Sequence, residues 1–246
     1  MATNSVSVVE KAANQALELM RDAGYGIDER IELSVDESLP YMGYAMRKGN
    51  GHRLVISGSA VKSPMLPGLL LHELSHVRRN IEKHPSHDNA LLDSIIAHIA
   101  VRHGVSQNAM QGIHMAINNI QDIYADDIVF RVLKRSPVVP LSVLTAFFRD
   151  WIADSPSLSK GKKNMRENAS ILLRNSFALS NMERHGLKDG KAQEKAGVFL
   201  KRSGLSEKDF AYFRKFMKGL DETVTAKQFE KELEAYLGRL LEIIGE

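Results

Sequence analysis

The chain has no cysteine among its 246 residues. That absence removes disulfide frameworks, thiolate metal sites and cysteine nucleophiles together, so a transition metal would have to be held by His, Asp or Glu. It also fits a reducing cytoplasm, the compartment expected for this protein. Long hydrophobic runs are lacking too. The longest apolar segment, 138–153, is broken by Pro140, Arg149 and Asp150. It is too short and too charged to span a bilayer and reads as a buried helix, so no membrane is expected as a partner. The opening residues, MATNSVSVVEKAANQ, show no basic stretch followed by an apolar one, and no secretory signal is expected.

Charge of one sign is scarce as well. The net charge is +3. Residues 1–155 carry 15 Lys and Arg against 17 Asp and Glu, and residues 156–246 carry 18 against 13. The second part is therefore the basic one, but the excess is spread out. It falls short of the concentrated patch a nucleic-acid binder needs, and the aromatics form stripes of their own rather than interleaving with basic residues. Nucleic acid is not expected as a partner. What is present, 43% hydrophobic and 26% charged residues, is the composition of an ordinary globular protein with one substantial core or two lobes.

Residues 5–22 place Val8, Val9, Ala12, Ala16, Leu17 and Met20 at helical spacing, with Gly24 as a stop signal. Ile31, Leu33 and Val35 then alternate with polar residues, which predicts a half-buried strand. Segments 42–47 and 52–58 flank Lys48-Gly49-Asn50-Gly51, where Asn-Gly signals a tight hairpin. From Ser63 the pattern turns helical. Pro64 and Pro67 suit the first turn of a helix running through LPGLLLHELSHVRRNIEK. Asp88 can cap a helix ending near Gly104, Ser106 can open a long one reaching about Arg135, and 141–153 predicts another. Loops at 155–164 and 185–191 mark the internal boundary. Phe210, Phe213, Met217 and Leu220 then form a stripe, and Thr225 with Gln228 forms a capping box before a last helix. The expected division is a core over 1–155 and a helical, basic subdomain over 156–246.

The segment that carries chemistry is His72-Glu73-Leu74-Ser75-His76. Residues four apart on a helix project from one face on successive turns, so both histidines can reach one zinc ion. Glu73, one position along from His72, can reach a water there without ligating the metal, as a general base must. A string of this pattern arises by chance in about 2% of chains of this composition, so context decides. The motif lies inside an apolar helix, where two histidines and a glutamate must be satisfied, and a metal does so directly.

A catalytic zinc needs a third protein ligand and an open position. The best candidate lies in NNIQDIYADDIVF, where Asp122 and Asp126 are four apart on a helix whose residues Met115, Ala125, Val129 and Leu133 line the same side. Glu82, His84, His87 and Asp88, just after the motif, compete for the same role. Tyr124 and Asp127 fall on other faces. His52, His98, His103, His114 and His185 stand alone and read as structural or surface residues.

With these two segments the chain resembles the gluzincin branch of the zincin metallopeptidases. In that family the second metal helix reads Glu-x-x-x-Asp, and in the heat-shock and prenyl-protein processing peptidases Glu-x-x-Ala-Asp. Here it reads Asp122-Ile-Tyr-Ala125-Asp126, an aspartate one methylene shorter, so the helix must approach closer. The resemblance covers about residues 40–135 and implies Asp122 as third ligand, with Asp126 accepting from the ring of His72. Those processing peptidases are membrane embedded, which is not expected here. The resemblance further implies an α+β zincin-like fold. A first helix, a small antiparallel sheet and the motif helix would form an upper part, followed by a mostly helical C-terminal part, with zinc in the cleft between. A substrate strand would add along the segment from His52 to Gly58 or the one after it. The reaction implied is zinc-dependent hydrolysis of a peptide or protein substrate, with Glu73 as general base and then as proton donor. A Tyr, His or Arg would stabilise the oxyanion. The competing readings are a catalytically inactive zinc-binding regulatory protein and a helical partner-binding or nucleic-acid-binding protein.

Overall fold

Leu54, Val55 and Ile56 form a continuous apolar run that is buried on both faces, and such a run belongs at the centre of a sheet rather than at its rim. The computed structural model, which describes residues 2–246, places it there. Strands β1 (Ile31–Asp36), β2 (Gly43–Lys48) and β3 (Gly51–Ser57) form a three-stranded sheet in the order β1-β3-β2. β2 and β3 are an antiparallel hairpin, whereas β1 runs parallel to β3, with Ile31 opposite His52 and Asp36 opposite Ser57. The sheet is thus mixed, not antiparallel as expected. β1 leaves a gap beside β2, and the hairpin returns β3 into it.

This arrangement corrects a second expectation. With a neighbour on each side, the strand beginning at His52 has no free edge for a substrate. The hairpin loop is also one residue out of register with the Asn-Gly signal. Lys48 pairs with Gly51, so the central turn residues are Gly49 and Asn50, and Gly49 takes the left-handed conformation with φ of 58°. Gly51 is needed for a different reason. A Cβ there would lie 2.3 Å from the carbonyl oxygen of Arg30, which accepts a 2.9 Å hydrogen bond from the backbone N–H of His52 where β1 joins the sheet.

The helices are α1 (Ala2–Asp22), α2 (Gly58–Val61), α3 (Leu66–Ile81), α4 (Asn89–His103), α5 (Gln107–Arg135), α6 (Leu141–Trp151), α7 (Gly161–Arg184), α8 (Gly190–Ser203), α9 (Glu207–Lys218) and α10 (Ala226–Ile244). Among the described residues the fold is α+β and mostly helical. None of these helices is long and apolar enough to cross a membrane.

The contacts group the chain into two compact units, each discontinuous in sequence. The first unit runs through His84 and adds Tyr124–Leu144. Here α3 packs on α1 and on β2, burying Leu66, Leu69, Leu70, Leu71, Leu74 and Val77. Its helix stops at Ile81, where the Glu82 backbone N–H bonds back to Arg78 and Lys83 takes a left-handed φ of 52°. The second unit comprises Pro85–Ile123 and Thr145–Glu246. Within it α7 packs on α8 and α9, and α10 lies on α4 and α7. Local chemistry sets these ends. Asp88 caps α4 by accepting from the Leu91 N–H, and Thr225 with Gln228 forms the full capping box of α10.

Candidate metal centre

On α3 the rings of His72 and His76 meet edge to face with centroids 4.6 Å apart, and their Nε2 atoms converge to 3.1 Å. Two zinc ligands on a tetrahedral ion, each about 2.0–2.1 Å from it, stand about 3.3 Å apart. The two nitrogens are therefore spaced as a shared metal would require. His72 Nδ1 lies 2.7 Å from Asp126 Oδ1 on α5. With Nδ1–H donated to that carboxylate, the lone pair of His72 sits on Nε2, the atom facing His76. Asp126 is buried, with 6% of its surface exposed.

Asp122 lies one turn earlier on α5. Its carboxylate oxygen and the two histidine nitrogens all lie within 4.8 Å of one another, and all three residues are half-buried. Asp122 and Asp126 lie on one continuous helix, α5. The four-residue spacing therefore fixes Asp122 relative to Asp126 and so relative to His72. Two imidazoles and one carboxylate are a donor set suited to Zn²⁺. Among the described residues no other group of three such side chains is gathered closely enough to hold an ion. Glu73, the next residue after His72, is 5% exposed.

The other candidates are placed elsewhere. Glu82 accepts from Arg78 Nε at 2.8 Å and from Arg79 Nη1 at 3.2 Å, which commits both carboxylate oxygens to guanidinium groups. His84 is buried with its ring 4.4 Å from that of Tyr124. His87 Nδ1 is 2.8 Å from Ser86 Oγ, and Asp88 is spent on its helix cap. Met115, expected on the buried side of α5, is 39% exposed, while Ala125, Val129 and Leu133 are buried as the spacing implied. Among the lone histidines, His98 Nδ1 sits 2.7 Å from Glu234, and His52 is buried with Nδ1 3.2 Å from Glu29.

Sequence reasoning missed the buttress behind the site. Arg79, one turn below His76, is 4% exposed, and its Nε donates a 3.0 Å hydrogen bond to the backbone carbonyl of Tyr124. Arginine in the last turn of a helix is common because it complements the dipole, so nothing in the sequence distinguished Arg79 from a surface residue. Tyr124, assigned to another face of α5, is fully buried and carries the carbonyl that receives this bond.

The chain belongs to a family of unknown function, DUF5781, whose sequence profile matches residues 7–237. Neither curated proteins nor solved structures give a match to the chain.

Proposed function

We propose that the protein is a zincin-like, zinc-dependent metallopeptidase, with His72, His76 and Asp122 as metal ligands, Asp126 orienting His72 and Glu73 as general base. The observation that carries this reading is the approach of the two Nε2 atoms to 3.1 Å with Asp122 beside them and Asp126 behind. Two imidazoles have little reason to point lone-pair atoms at each other unless a cation or proton lies between them.

A zinc ion bound there supplies a Lewis acid and lowers the pKa of a water to about 7. The protein's own groups do the rest. Asp126 holds His72 in the tautomer that leaves Nε2 unprotonated. Glu73, shielded from solvent, accepts the proton of the attacking water and returns it to the leaving amine.

Metal analysis of the purified protein, paired with a peptide-cleavage assay on the wild type and on Glu73→Gln, tests the proposal. Stoichiometric zinc in both with cleavage confined to the wild type is the expected result. Zinc in both without cleavage in either would make this an inactive zinc-binding protein, and a wild type without zinc would overturn the metal reading altogether.

A further inference from the structure

A second, independent feature lies within the other unit, at the C-terminal end of α6. A cavity of about 380 Å³ is lined by Asp150, Trp151, Ile152, Ala153 and Arg174. It holds a carboxylate and a guanidinium that do not pair with each other, and neither takes a hydrogen bond or ion pair from any other described residue. The only tryptophan of the chain, Trp151, also lines it.

The walls are fixed. Asn175, fully buried, accepts from the Ala153 N–H and donates to the Ala153 carbonyl, both at 2.9 Å. This clamp ties the residues just after α6 to α7, one residue from Arg174. Trp151 is seated against Phe147 and Phe177, at 5.8 and 5.5 Å between ring centroids, so its indole is held rather than free to swing. Lys195 Nζ caps the Arg149 carbonyl in the last turn of α6. Arg174 is exposed as a whole residue, yet partial burial of its guanidinium lowers its pKa from the usual arginine value. A charge that loses water without gaining a partner is costly, and a ligand anion offsets that cost.

From these observations we propose that the cavity binds a small zwitterion with an apolar body, an α-amino acid or dipeptide, its carboxylate on Arg174, its ammonium on Asp150 and its side chain against Trp151. Arginine is suited to a planar carboxylate, which it grips with two parallel N–H donors. The unpaired Asp150 supplies the opposite charge, and so selects against simple anions. The inference does not depend on the metal site, whose residues it shares in no part.

Trp151 reports on its own cavity, since no other tryptophan contributes to the emission. Fluorescence and calorimetric titrations of the full-length protein with L-leucine, leucyl-leucine, N-acetyl-leucine and leucinamide test the proposal. Leucine or leucyl-leucine should bind saturably, and the tighter of the two assigns the ligand as free amino acid or dipeptide. Blocking the amine or the carboxylate should weaken binding about tenfold, the loss of one charged contact. Arg174→Met should remove the penalty for blocking the carboxylate, and Asp150→Asn the penalty for blocking the amine. Both positions are solvent-exposed, so folding is retained. Equal binding of the four compounds, binding indifferent to both substitutions, or no saturable signal by either method would overturn the proposal.

Discussion

Arg79 on α3 donates from Nε to the backbone carbonyl of Tyr124 on α5, at 3.0 Å, in a buried setting. That carbonyl lies between Asp122 and Asp126 along the helix, and Arg79 lies one turn below His76. The bond therefore fixes how far α5 slides along α3, and with it whether the aspartates stand opposite the histidines. Arg79→Met removes a charged donor from a buried acceptor and takes from Glu82 one of its two arginine partners, leaving Arg78, at a cost of about 2–3 kcal/mol. Denaturant unfolding should show that loss. A zinc affinity unchanged in the same variant would mean that α5 keeps its register without the tie.

Asp126→Asn keeps an acceptor on His72 but removes its charge. Zinc affinity, measured by competition with a chelating dye, should fall about 10- to 100-fold, the usual cost of losing such a partner. Asp126→Ala should fall further because the ring loses its orientation as well. Equal affinities in wild type and both variants would detach Asp126 from the metal.

Asp122→Ala should abolish stoichiometric zinc at neutral pH, since two imidazoles remain. Asp88→Ala is the matching control. It removes the cap of α4 and should cost about 1 kcal/mol of stability with zinc retained. If the two variants exchanged these behaviours, the third ligand would lie in the segment after the motif helix instead.

His52 is buried near Glu29, and burial lowers its pKa below the ordinary 6.5, Glu29 opposing and Arg47 adding to the effect. A histidine kept neutral in the fold binds its proton more readily when unfolded. Its contribution to stability is therefore complete above about pH 6.5 and is lost as pH falls through the lower, folded value. Unfolding free energy measured between pH 7 and 5 should decline by up to about 1.4 kcal/mol per pH unit from this group. The decline should flatten in His52→Gln, and an identical slope in that variant would remove His52 as its cause.

Chelation gives the last test. A ligand that binds only the folded state stabilises it by about 2.7 kcal/mol at a hundredfold excess over its Kd, so EDTA should lower the melting temperature of the wild type. Asp122→Ala should melt at one temperature with or without the chelator. A wild type indifferent to EDTA would argue against a folded-state metal.

How much of this was legible in the sequence depended on whether the governing interaction was local. The capping box of Thr225 and Gln228, the Asp88 cap and the Gly104 stop are decided within one helical turn, and each is found where the residues pointed. The convergence of His72 and His76 was readable because four-residue spacing on a helix has one geometric meaning, whereas Asp122 was one candidate among several until the fold set it beside them. The direction of β1 was not readable. Alternation of apolar and polar residues marks a half-buried strand whichever way its partner runs, and the partner is chosen by tertiary contacts. Helix α7 was overlooked for another reason. Its polar residues Asn168, Asn175, Ser176, Ser180 and Asn181 are buried, which blurs the amphipathic stripe by which a helix is recognised.

The close approach of Gly51 to Arg30 also orders the assembly of the sheet. A two-residue hairpin closes within microseconds on its own, and β2 paired with β3 alone would present a bare rim. β1 must find that rim across a separation of 21 residues, and the contact of Arg30 with a residue that has no side chain acts as the stop against which it seats. A methyl group at 51 would push β1 off its stop. A slip of one residue would turn Leu33 and Val35 to the opposite face, leaving the hairpin intact and α1 without the strand on which it rests.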